Sequence, residues 1–96
     1  MTNILEMLKQ EKANLKHLKI KLLDNKTKLE EAYLQYCDME GVPNYSSKQL
    51  FGKLIEIKNL VALVLQNEFD IEESEYEISL FKSSIEGFMD SVRWEE

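Results

Sequence analysis

The chain has 96 residues, 44% of them apolar, and 12 Lys and Arg stand against 18 Asp and Glu for a net charge of -6. One cysteine excludes a scaffold stapled by internal disulfides. Leu60 to Leu65, the longest apolar run, falls far short of the ~20 residues that span a bilayer. MTNILEMLKQEK at the start has no basic segment leading into an apolar one, so no secretory leader is expected and the expected setting is cytoplasmic.

The first predicted element is a helix over residues 3–40. No Gly or Pro interrupts it, and Asn3 with Glu6 has the spacing of a capping box. Stepping alternately by three and four from Met1 gives Ile4, Leu8, Glu11, Leu15, Leu18, Leu22, Asn25, Leu29, Ala32, Tyr36 and Met39. This is a coiled-coil seam with two polar members. Glu11 and Asn25 both fall at heptad position d, where a polar residue fixes register or strand number at some cost in stability.

A turn follows over residues 41–45. Gly41 suits the left-handed position after a helix, and Pro43 blocks continuation. Ser46 with Gln49 is a capping box, and Tyr45 with Leu50 has hydrophobic-staple spacing, so a second helix is expected over 46–67. Its seam reads as Leu50, Leu54, Ile57, Val61 and Val64. Leu60 to Leu65 is apolar nearly all round, which places this stretch among at least two other helices.

Extended further, that seam meets Glu68, Glu75 and Lys82, so a break is expected near residues 67–70. A C-terminal helix over 71–94 follows, with Asp70 and Glu73 as its capping pair and Ile71, Ile78, Phe81, Ile85, Phe88 and Val92 as a new seam. Tyr76, Ile78 and Leu80 alternate as a strand would, but nothing is available to pair with them. Gly87 marks a close contact or a soft point.

The expected fold is therefore all-α: one domain, 1–96, built on a long antiparallel helical hairpin. Pivoting at Pro43 makes facing residue numbers sum to roughly 86, which leaves the residues from about 79 to 94 without cover. Leu80, Phe81, Ile85, Phe88, Met89, Val92 and Trp94 lie in that excess. They must fold back or pack on another chain, and the expected result is a small helical bundle formed by dimerisation.

Charge supports the antiparallel pairing. Residues 1–58 carry 10 Lys and 8 acids, a net +2. Residues 59–96 carry Lys82 and Arg93 against 10 acids, a net -8. Lys9, Lys12 and Lys16 are expected opposite the acidic block that includes Glu72, Glu73, Glu75 and Glu77. Such exposed pairs choose direction and register and add little stability.

Candidate chemistry is sparse. His17 stands among Lys16, Lys19 and Lys21 with no acid one turn away, and Cys37 has Tyr36 and Asp38 as neighbours and no local base. One His and one Cys cannot build a structural zinc site. Asp70, Glu72, Ser74 and Glu77 lack the loop glycine and the terminal Glu of a calcium loop. With no phosphate loop and no nucleophile set, neither an enzyme nor a cofactor is expected.

The function expected is a protein-binding module: an adaptor, an assembly chaperone or a small inhibitor. Its Lys-, Glu- and Asn-rich composition suits a phage or mobile-element protein. It would dock by burying an apolar helix face, with Phe81, Ile85, Phe88, Met89, Val92 and Trp94 as the binding residues and a second copy as one partner. Three alternatives stand beside it. One is a nucleic-acid regulator using Lys9 to Lys28. Another is an acidic decoy whose stretch Asp70 to Glu77 imitates a phosphate backbone and blocks a DNA-binding protein. The third is a purely structural subunit.

Overall fold

The computed structural model describes the backbone of residues 3–94 and the side chains of residues 3–87. Two helices make up the molecule: α1, Ile4–Glu40, and α2, Ser47–Trp94. They pack as an antiparallel hairpin measuring 79 × 19 × 16 Å. Its radius of gyration, 21.8 Å, far exceeds the ~12–13 Å of a compact chain of this length. The all-α hairpin thus matches the sequence expectation.

Local chemistry sets both helix starts. The Asn3 side chain accepts a hydrogen bond from the Leu5 amide at 3.0 Å and caps α1. Ser46 and Gln49 form the full reciprocal box. The Gln49 amide donates to Ser46 Oγ at 3.2 Å, and the Ser46 amide donates to Gln49 Oε1 at 2.8 Å.

At the end of α1 the expected left-handed glycine does not occur. Gly41 is right-handed, with φ -78° and ψ -8°, and the Val42 amide closes the last turn on the Met39 carbonyl at 3.2 Å. A Cβ at Gly41 would meet nothing nearer than 3.7 Å, and one at Gly87 nothing within 4 Å. Gly41→Ala should therefore raise stability by about 0.4–1 kcal/mol. Gly87→Ala, inside α2, should add about 1 kcal/mol. Thermal melts of the two variants check both values.

The seam of α1 is the one its heptads predict, except at Ile4, which is 39% exposed. Leu8, Glu11, Leu15, Leu18, Leu22, Asn25, Leu29, Ala32, Tyr36 and Met39 are the covered positions, and their neighbours on the helix are exposed. The seam of α2 differs from the expectation. It runs from Leu50 through Lys53, Ile57, Leu60, Val64, Asn67, Ile71, Ser74, Ile78 and Phe81 to Ile85, with Asp70 alongside. Leu54 and Val61 stand outside it, 44% and 39% exposed.

This seam corrects the predicted break at 67–70 and the separate helix over 71–94. Glu68, Glu75 and Lys82 lie at heptad position e, beside the seam, while Asn67, Ser74 and Phe81 hold d. The three-four rhythm then passes through residues 67–70 without interruption, and α2 continues as one helix.

Register also differs from the estimate of 86. The pairs that contact across the hairpin, Glu11 with Ser74, Gln35 with Lys53, Asn25 with Asn67 and Lys26 with Glu68, have numbers that add to 85, 88, 92 and 94, centred near 90. The turn and the first turn of α2 use residues before the seam begins at Leu50. Residues near 86 therefore reach the level of Ile4, and the uncovered excess shrinks. Ile78 is buried, and Phe81 and Ile85 are half-buried.

Candidate interaction surface

Polar residues of the seam meet polar partners. Asn25 Nδ2 donates to Asn67 Oδ1 at 2.6 Å, and Asn67 is 7% exposed. Ser74 Oγ, on a residue 3% exposed, donates to Glu11 Oε1 at 2.7 Å. Lys53 donates to Gln35 across the hairpin and forms an ion pair with Glu56 at 2.9 Å. A slip of one heptad would set Asn25 against Leu60 or Ser74. That would strand at least one buried amide, and each stranded group costs about 1–3 kcal/mol. Glu11 and Asn25 thus sit where a polar pairing can discriminate one register from its neighbours.

In an antiparallel pair, e positions of the two helices share one side and g positions the other. Lys26 and Glu68, both at e, approach to 3.8 Å and form the ion pair that joins the helices among the described residues. Lys9, Lys12 and Lys16 are exposed on this e side of α1. The observed register levels them with residues near 74–81, a few residues past the expected 70–77, and no carboxylate among the described residues lies within ion-pair distance of them. Glu72 and Glu75 occupy the e side of α2. Glu73 and Glu77 lie on the g side, where they line an open groove with Glu11 and Asp70. All four of these flank carboxylates are exposed.

One feature was missed at the level of sequence. α2 carries a second apolar stripe at heptad positions e, b and f, centred roughly 120° from the seam at 100° per residue. Phe51 is 63% exposed, Ile55 43%, Leu65 60%, Phe69 60% and Tyr76 65%. Leu54 and Val61 belong to the near edge of this stripe. α1 shows a weaker counterpart on the same side of the hairpin, in Leu23 and Tyr33. The all-round apolar character of Leu60 to Leu65 was the signal in the sequence: α1 covers one side of that segment, and Leu65 faces outward.

The residues considered for chemistry stay apart. His17 is exposed, and Cys37 is an exposed free thiol. The Tyr33 phenol is held above its usual range by its hydrogen bond to the Cys37 thiol, and that of Tyr36 by its hydrogen bond to Glu40. Bonds of this kind favour the neutral phenol. Among the described residues no group of His, Cys, Asp and Glu is arranged to hold a metal ion, and no helix is long and apolar enough to cross a membrane.

Of the binding residues expected near the C-terminus, Phe81 and Ile85 stand in the seam against α1. Phe88, Met89, Val92 and Trp94 lie outside the residues whose side chains are described. No family model, curated protein or solved structure matches the chain.

Proposed function

We propose that the chain is a non-enzymatic protein-binding module that lays an apolar helix face on a partner and self-associates into a helical bundle. The observation that carries this reading is the pair of apolar faces on α2, of which α1 covers one. An outward stripe holding Phe51, Leu65 and Phe69 costs free energy in water, at about 25 cal/mol per Å² of apolar surface left exposed. A partner that covers it recovers that energy. Charged residues along the rim would set the direction of docking. An adaptor, an assembly chaperone and a small inhibitor all use this mode. By sequence phase alone, Met89 continues the heptad positions of the stripe, while Phe88 and Val92 continue those of the seam.

The stripe favours this reading over nucleic-acid binding through Lys9 to Lys28. Phosphate binding needs basic surface free of nearby acids, and Glu68 already approaches Lys26 while Glu75 lines the same groove as Lys19.

The reading is tested with a photo-cross-linking residue placed singly at Leu65, Phe69 and Asn59 in cells that produce the chain. Leu65 and Phe69 lie on the stripe, and Asn59 lies on the other flank of α2. Discrete protein adducts from the first two positions and none from Asn59 are expected. Equal labelling at all three, or none at any, contradicts the proposal.

A further inference from the structure

We infer that the outward stripe of α2 is self-complementary, so that two copies dock α2 against α2, antiparallel, about a two-fold axis near Leu65. This inference rests on the binding-module reading and names one partner for it.

Three observations point to a second copy. The first is pattern. The stripe runs from Phe51 to Tyr76, and Leu65 lies close to its centre. Reversing the helix about Leu65 sets Lys58 of one copy beside Glu72 of the other, small Ala62 beside bulky Phe69, and Ile55 beside Tyr76. One opposite-charge pair, one small-against-large pair and one pair of large apolar side chains thus meet on both halves of the axis at once. This is the condition an isologous interface imposes. Lys58 and Glu72 are exposed, and neither has an ion-pair partner within its own chain among the described residues.

The second is area. The chain exposes 7809 Å². A compact protein of 11.3 kDa exposes about 5,700 Å², so roughly 2,000 Å² is in excess. A standard interface removes about 800 Å² from each partner, well within that excess.

The third is the core. Ala32, Val64, Ile71 and Ile78 are its buried apolar side chains among the described residues, a thin core for two helices of this length. Pairing α2 with its copy would seat Leu60 to Leu65 between two helices, as its all-round apolar character requires.

The inference is tested by sedimentation equilibrium on the whole chain over a micromolar concentration series, with circular dichroism as a check on folding. Wild type should sediment as a dimer. Leu65→Asp, at a site outside the hairpin seam, should sediment as a monomer of unchanged helicity. Lys58→Glu should weaken the dimer about tenfold, because the two-fold axis repeats the unfavourable pair. Adding Glu72→Lys should restore wild-type affinity. A monomeric wild type, a Leu65→Asp dimer of wild-type strength, or a double variant no tighter than Lys58→Glu overturns the inference. If wild type is monomeric and a photo-cross-linker at Leu65 still captures a different protein, self-pairing fails and the binding-module reading survives. If neither is seen, both fail.

Discussion

Ile71→Ala lowers the unfolding free energy by about 2–3 kcal/mol, the lower part of the range for truncating a buried Ile. Ile71 is 8% exposed and lies between Asn67 and Ser74 on the seam. Its loss removes apolar contact with α1 and leaves a gap where the helices meet. The cost stays in the lower part of the range because no side chain in the described seam is less than 2% exposed. A gap so near solvent can collapse. The loss is still large for this molecule, since a chain of this size has only about 5–14 kcal/mol in total. The same reasoning orders two neighbours. Leu60→Ala should cost more than Leu54→Ala, because Leu60 is covered by α1 and Leu54 is not. Urea denaturation of the three variants gives the comparison. Equal costs at Leu60 and Leu54 would return the seam to the e positions.

The second large effect concerns the amide pair. Asn67→Leu alone leaves the Asn25 amide without its partner in a partly covered seam, and should cost about 1–3 kcal/mol. Converting both residues to Leu removes the stranded group and adds apolar contact. The double variant should recover the loss and exceed wild-type stability. It should also lose definition. With Asn25 and Asn67 both apolar, neighbouring heptad registers become closer in energy, and a seam of that kind admits other strand numbers. Melting temperature and mass distribution read the two effects separately. A double variant less stable than the single one would mean that the pair contributes net stability rather than selecting the register.

α1 was legible from its sequence because its apolar residues form one dominant stripe. Only one phase of the heptad fits Leu8, Leu15, Leu22 and Leu29, and the structure uses it. α2 was ambiguous for a physical reason. It has apolar residues at both d and e at Leu60 and Val61, and polar residues at d on either side, Lys53 before and Asn67 and Ser74 after. Choosing Leu54 and Val61 gives the more apolar seam over two turns and then fails at Glu68. The structure accepts Lys53, Asn67 and Ser74 in the seam because Gln35, Asn25 and Glu11 supply their hydrogen bonds. Partners of this kind lie 18 to 63 residues away in sequence, beyond what periodicity in one helix can reveal. The polar positions of α1 are visible in its own pattern, but their counterparts Asn67 and Ser74 fall outside the phase that Leu54 and Val61 suggest, in which Glu68 and Glu75 look like a break.

The same ambiguity hid the candidate surface. Once Leu54 and Val61 were assigned to the core, nothing in the pattern remained to mark an outward stripe. The aromatic residues near the C-terminus then stand out in the sequence, and of these Phe81 lies in the seam. The stripe follows only after the seam is placed on the correct heptad positions.

α2 is one unbroken rod with two apolar faces, one of them turned away from α1. Amide hydrogen exchange across residues 57–78 tests this continuity most directly. Continuous protection is expected through 67–70, at the level of the flanking turns and lost with them in one cooperative opening. Fast exchange confined to 67–70 would contradict it. Two shorter helices would then replace the rod, and the outward stripe would no longer be a single surface.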